Sequence, residues 1–198
     1  GRAMTLTHSH PSPAQCQVQW SRSFGGSAFT KIPGGLAQQL SYTPTIDDVG
    51  ATLKVDLYMP DPLAPDAMLP KPVSREIGPV RVRRNMVIAM HEAIKKGDIL
   101  LNVESAYDSG LSAKEKEKQR PQILLNREKI KLRAGGKTIA KAEWSDQLRV
   151  VIDYESTTRF TLRVDASSTP VSYSVPPGER DLIVQTIRSF NAHMLSQA

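Results

Sequence analysis

From Asp98 to Tyr173 the chain is a succession of short runs in which apolar and polar residues alternate. Gln147-Leu148-Arg149-Val150-Val151-Ile152-Asp153 and Arg159-Phe160-Thr161-Leu162-Arg163-Val164 are the clearest of them. Successive side chains of a strand point to opposite faces, so each run buries one face and wets the other. After Pro176-Pro177-Gly178 the period changes. Leu182, Ile183, Thr186, Ile187, Phe190 and Met194 recur three and four residues apart, the stripe of a single amphipathic helix. A small, strongly bent sheet has open ends, and one terminal helix suffices to cover one of them.

Strands first and one helix last predict a pleckstrin-homology-like β-barrel or bent sheet with a C-terminal capping helix over residues 98–198. Domains of this architecture usually bind and rarely catalyse. Within it, Asp98 to Glu104, Gln122 to Asn126, Glu128 to Arg133 and Thr138 to Trp144 read as strands, with Gly135-Gly136 as a turn. Ser112 to Arg120 is dense in charge of both signs and reads as a solvated loop or a frayed helix. Burying Leu182, Ile187 and Phe190 at roughly 1.5–3 kcal/mol each is comparable to the net stability of a small domain.

Residues 14–82 have another character: rich in Pro and Gly, with short extended stretches. Gln17-Val18-Gln19-Trp20 alternates around a tryptophan, as a central sandwich strand does. Leu40 to Pro44 follows a Gly34-Gly35 turn, and Asp47-Asp48-Val49-Gly50 makes a corner before the alternating run Ala51 to Leu57. The glycine of such a corner takes positive φ and its aspartates bond nearby backbone N–H groups. This layout predicts an immunoglobulin-like β-sandwich. Pro60 to Pro72 holds five prolines and reads as a loop, with Val73 to Val82 as a last strand. Residues 1–13 are expected to be a tag remnant and a disordered start, Gly1-Arg2-Ala3-Met4 reading as a cloning scar on a piece of something longer.

Between the two lies a linker helix over 83–97. Asn85 caps it, Met86, Val87, Met90 and Ile94 form its stripe, and Gly97 ends it. The apolar stripe predicts a rigid spacer packed against both domains.

The charge of +6 favours acidic partners: acidic protein tails, anionic lipid or nucleic acid. One cysteine, Cys16, excludes an intramolecular disulfide and fits a reducing, intracellular compartment. No apolar run approaches the roughly 20 residues that span a bilayer.

The search for chemistry yields no catalytic set, metal site or cofactor. Gly136-Lys137-Thr138 ends like a phosphate-binding loop, but the glycine required five positions earlier is Lys131. His8, His10 and Cys16 match no zinc spacing and lack a fourth ligand. His91 and His193 fall on helices as partly exposed packing residues, Cys16 reads as a buried small residue, and Asp47-Asp48 is sufficiently explained by turn bonding. Lipid headgroups would use the basic loop Ser105 to Pro121, where Glu115 and Glu117 offset Lys114, Lys116 and Lys118. Aromatic residues are few, and Trp20, Trp144 and Phe160 read as core, so nucleic acid is not expected. Basic residues gather at Arg81, Arg83, Arg84, Lys95 and Lys96 around the helix, and at Lys129, Lys131 and Arg133 on one strand face. Merged, the two groups would form a stripe for an acidic protein; on opposite sides they would only solvate.

Two stretches carry a family resemblance. Trp20-Ser21-Arg22 with Tyr42-Thr43-Pro44-Thr45-Ile46-Asp47-Asp48-Val49-Gly50 resembles the tandem immunoglobulin-like repeats of the auxin-induced-in-root-cultures "nine" proteins of plants and their relatives in flagellate protists. Arg180 to Arg188 resembles the terminal helix of that family's last domain, and the resemblance extends from about residue 14 onward. It implies a microtubule-associated scaffold at the cell cortex or at flagellar or division-site microtubules, with no catalytic residues to carry over. The sequence therefore leads to a non-enzymatic, cytoplasmic interaction module docking tubulin or another cytoskeletal protein through the sheet edge or the groove beside the linker helix. The alternative is phosphoinositide-dependent membrane targeting.

Overall fold

The computed structural model describes residues 4–5, 16–61, 63–106 and 112–197; the readings at Gly1 to Ala3, His8 and His10 lie outside them, whereas Met4 and Thr5, expected to belong to a tag remnant and disordered start, pair as a strand with Tyr42 and Ser41. The chain is mainly β with a C-terminal helix, and it divides into two units, Gly1–Arg83 and Arg84–Ala198. Among the described residues every strand pair is antiparallel and no sheet closes on itself.

The first unit holds β1 (Met4–Thr5), β2 (Gln17–Ser23), β3 (Thr30–Lys31), β4 (Ser41–Tyr42), β5 (Thr52–Tyr58), β6 (Pro60–Asp61), β7 (Ala64–Met68) and β8 (Val73–Ile77). The main sheet runs β3-β2-β5-β8, and β1–β4 and β6–β7 form separate pairs. Val18 lies opposite Leu57 and Trp20 opposite Val55, so the alternation of β2 and β5 sends both sets to one core. Trp20 is buried, donates from Nε1 to the Gln39 carbonyl at 3.0 Å, and stacks 5.5 Å from Tyr42.

Three readings of this unit are corrected. The proline-rich 60–72 stretch is not all loop: it contains the β6–β7 hairpin, whose two strands, among the described residues, pair only with each other. Proline is tolerated there because each strand has an unpaired side where a missing N–H breaks no ladder. The run from Val73 is a strand only as far as Ile77. Cys16, expected to be buried, is half-exposed.

The second unit holds α1 (Arg84–Lys96), β9 (Asp98–Asn102), β10 (Glu104–Ser105), α2 (Ala113–Lys118), β11 (Gln122–Asn126), β12 (Lys129–Ala134), β13 (Lys137–Glu143), β14 (Arg149–Ile152), β15 (Arg159–Arg163), β16 (Val171–Ser174) and α3 (Arg180–Leu195). One sheet runs β13-β12-β11-β9 and the other β10-β16-β15-β14. The run read as one strand from Asp98 to Glu104 thus serves two sheets, divided at buried Val103, whose N–H bonds Pro121. Ser112 to Arg120 takes the helical alternative: Ser112 and Glu115 close a capping box at the start of α2.

The helix read as a linker is the first element of this unit. It packs on α3, with Met90 buried and its sulfur 3.8 Å from the Ser189 hydroxyl. It begins at Arg84, so Asn85 sits in its first turn, where its side chain accepts from the Met86 N–H. Gly97 ends it at φ +73°, a conformation that a side chain strains.

Helix α3 lies against β14 and β15. Ile183, Val184, Ile187 and Phe190 are buried, while Leu182 and Met194 of the expected stripe are half-buried. The Phe190 ring sits 5.6 Å from that of Trp144, itself half-buried rather than core. Asn191 brackets Ser145, accepting from its N–H at 3.2 Å and donating to its carbonyl at 3.0 Å. The Arg188 guanidinium donates to the Val150 carbonyl at 2.7 and 3.2 Å. Because β14 ends its sheet, that bond covers part of an edge that another chain would otherwise pair with.

Candidate functional site

The register of the β13-β12-β11-β9 sheet arranges its outer face in rows. On β12, Ile130 and Leu132 are buried, so Lys129, Lys131 and Arg133 face outward. Lys131 lies directly opposite Leu124 on β11 and Lys141 on β13, and Leu124 lies opposite Leu100 on β9. The central row therefore reads Leu100–Leu124–Lys131–Lys141 across four strands. At a strand spacing of about 4.8 Å it is about 14 Å long. Leu100 is 47% exposed and Leu124 half-buried.

The flanking rows are electrically quieter. On one side, Lys129 faces Glu143 and its ammonium lies 3.2 Å from Glu128. On the other, Gln122 lies opposite Arg133, which donates to the Gly136 carbonyl at 3.2 Å. In the central row, like charges oppose each other, an arrangement that destabilises a sheet. Among the described residues neither Lys131 nor Lys141 forms an ion pair.

A bulge makes this row. Between Leu132 and Arg133 the register shifts, so Arg133 pairs with Thr138 but Leu132 with Ala140, leaving Ile139 as the extra residue. The shift sends Ala140 and Ala142 inward opposite Leu132 and Ile130, turns Lys141 outward, and leaves Ile139 58% exposed. Lys141, Leu100, Leu124 and Ile139 were absent from the residues nominated by sequence.

The nominated cations are divided. Arg81 and Arg83 belong to the first unit and are exposed. Arg84 opens α1 and Lys95 and Lys96 close it, so the helix holds them on the order of 16 Å apart rather than in one cluster. Lys95 and Lys96 reach the end of the sheet where Asp98 pairs with Asn126 and the Arg127 side chain lies across Gly97. Lys129, Lys131 and Arg133 share the outer face described above.

Among the described residues no group of three or more His, Cys, Asp or Glu side chains is placed to hold a metal ion. His91 and His193 are exposed on their helices. Gly136-Lys137-Thr138 passes from a hairpin turn into β13, so no helix follows it. An open pocket of about 520 Å³ lies beside the β14–β15 hairpin. Two of the hydroxyls lining it, Thr161 and Ser172, bond each other at 2.9 Å, and its Asp153 carboxylate accepts the Glu155 N–H at 2.8 Å. Among the described residues no helix is long and apolar enough to cross a membrane. No protein-family model matches the chain, and no curated protein matches it in sequence.

Proposed function

We propose that this chain is a non-enzymatic protein-interaction module of a cytoplasmic, microtubule-associated or cytoskeletal scaffold, and that the outer face of β9, β11, β12 and β13 docks an acidic protein partner. We read the first unit as an immunoglobulin-like sandwich serving as a spacer and the second as a pleckstrin-homology-like domain. The observation that carries the docking reading is the opposition of Lys131 and Lys141, neither of which forms an ion pair among the described residues. A fold that keeps two like charges face to face gives up stability, and a partner's carboxylates placed over them would recover it. The sequence led to the sheet edge or the groove beside the linker helix as docking places; the edge at β14 is partly covered by the Arg188 bond to Val150, and we favour a third place, the sheet face. The face is the better surface.

The test is co-sedimentation with microtubules at low and raised ionic strength, using the native chain and Lys141→Glu. Interactions between exposed charges fade beyond a Debye length of about 10 Å at 0.1 M salt, so binding should weaken as salt rises. Lys141→Glu creates an opposite-charge pair with Lys131, worth about 0.2–1 kcal/mol to the hairpin. It should therefore melt no lower than the native chain and yet bind microtubules more weakly. Absence of binding at low salt would remove tubulin as the partner.

A further inference from the structure

The central row is half apolar, and that half narrows the partner. We infer that the face takes a segment in which apolar side chains adjoin carboxylates, rather than a purely acidic tail or an anionic headgroup. This rests on the reading of the face as a docking surface for acidic protein. Leu100 and Leu124 are paired directly across β9 and β11, beside the two lysines and on the same side of the sheet. Leu100 keeps 47% of its surface in water and Ile139 keeps 58%. A polyglutamate chain would satisfy Lys131 and Lys141 and leave the leucines wet. A segment carrying two apolar residues and then two acids within about 14 Å would cover both halves of the row. Apolar burial supplies most of the affinity in such a contact, and the charge pair fixes which way round the segment lies. The row has a direction, Leu100 to Lys141, so the partner binds in one orientation.

Simple edge protection does not account for the row. Lysine on β13 guards an exposed edge, as lysines on edge strands commonly do. Lys131 is on β12, which is paired on both sides, and the leucines lie on β9 and β11, away from that edge.

Two labelled peptides of equal negative charge test the inference against the full chain by fluorescence anisotropy at low salt. One is glutamate in a glycine–serine background; the other carries two leucines followed by two glutamates. The mixed peptide should bind about tenfold tighter or more, as expected when apolar surface is newly buried. Leu100→Ser with Leu124→Ser should abolish that difference in protein that circular dichroism shows to be folded at the assay temperature, since loss of half-buried Leu124 lowers the melting point. Lys131→Glu with Lys141→Glu should weaken both peptides. Equal binding of the two peptides, with the leucine variants silent, overturns the inference and leaves the acidic-docking reading standing. If neither peptide binds, the docking reading itself falls. Vesicles of phosphatidylinositol phosphate in phosphatidylcholine, if they bind where the peptides do not, overturn both in favour of membrane targeting.

Discussion

Replacing Asp48 with alanine should strongly destabilise the first unit while leaving the second unchanged. The carboxylate is buried, and its two oxygens are committed to different groups. Oδ2 accepts from the Tyr42 hydroxyl at 2.7 Å, the Thr45 N–H at 2.7 Å and the Thr45 hydroxyl at 3.0 Å. Oδ1 accepts from Arg22 at 3.0 Å. Truncation strands a buried phenol and a backbone N–H and removes the charge partner of a largely buried guanidinium, which keeps its bond to the Asp47 carbonyl at 3.2 Å. Breaking a buried charge pair from one side costs about 3–5 kcal/mol. At an m-value of about 2 kcal/mol/M that lowers the urea midpoint by roughly 2 M. The two tryptophans allow each unit to be followed alone, since Trp20 lies in the first and Trp144 in the second. In protein labelled with fluorotryptophan, the Trp20 resonance should lose its folded shift at much lower urea than in the native chain, with the Trp144 transition unmoved. Tyr42→Phe should cost about 1.5–3 kcal/mol, the range for a hydrogen bond to a charged group, and add little once Asp48 is gone. A Trp20 midpoint unchanged in Asp48→Ala would refute the account of this corner.

In the second unit, Phe190→Ala should cost about 3–5 kcal/mol, because the ring is fully buried and supports Trp144. The Trp144 resonance would then unfold early while that of Trp20 does not. On the alkaline side, burial pushes the Tyr173 phenol up to about 12. Burial, and then the adjacent Asp48 carboxylate, push Tyr42 beyond the ordinary phenol range. Below the ordinary phenol value of 10.0 both phenols keep their protons whether folded or not. Above it the unfolded chain releases protons that the native chain retains, so stability falls as pH rises from about 10. Phenolate absorbance should therefore show Tyr42 and Tyr173 ionising together with loss of circular dichroism, identified by difference against Tyr42→Phe and Tyr173→Phe.

Much of the fold was legible because burial forces a period. Ile123 and Leu125, Ile130 and Leu132, Val150 and Ile152, Phe160 and Leu162 are all buried on alternate positions of strands that the alternation marked. The terminal helix and its Gly97-terminated companion were legible for the same reason, one stripe and one residue able to take positive φ. What local pattern does not contain is which neighbour an element meets. The stripe on α1 announced a buried face but not that α3 would bury it. The run from Asp98 to Glu104 looked continuous because nothing local shows a strand leaving one sheet for another at Val103.

The docking face was illegible for a sharper reason. Counting outward from the Gly135-Gly136 turn pairs Ala134 with Lys137, Arg133 with Thr138, and then Leu132 with Ile139 and Lys131 with Ala140. That regular register would turn Ile139, Lys141 and Glu143 to the core side with Leu132 and Ile130, and the two alanines to water. Burying Lys141 and Glu143 there costs far more than burying Ile139 gains, so the hairpin inserts one residue instead. The bulge keeps Ala140 and Ala142 inside and sets Lys141 opposite Lys131. The same step that avoids two buried charges thus creates the like-charge pair on the surface, and it leaves Ile139 outside as its by-product. Sequence showed three cations on one strand. Only the pairing, fixed by what the core would not accept, showed that a fourth stands beside them with two leucines in line.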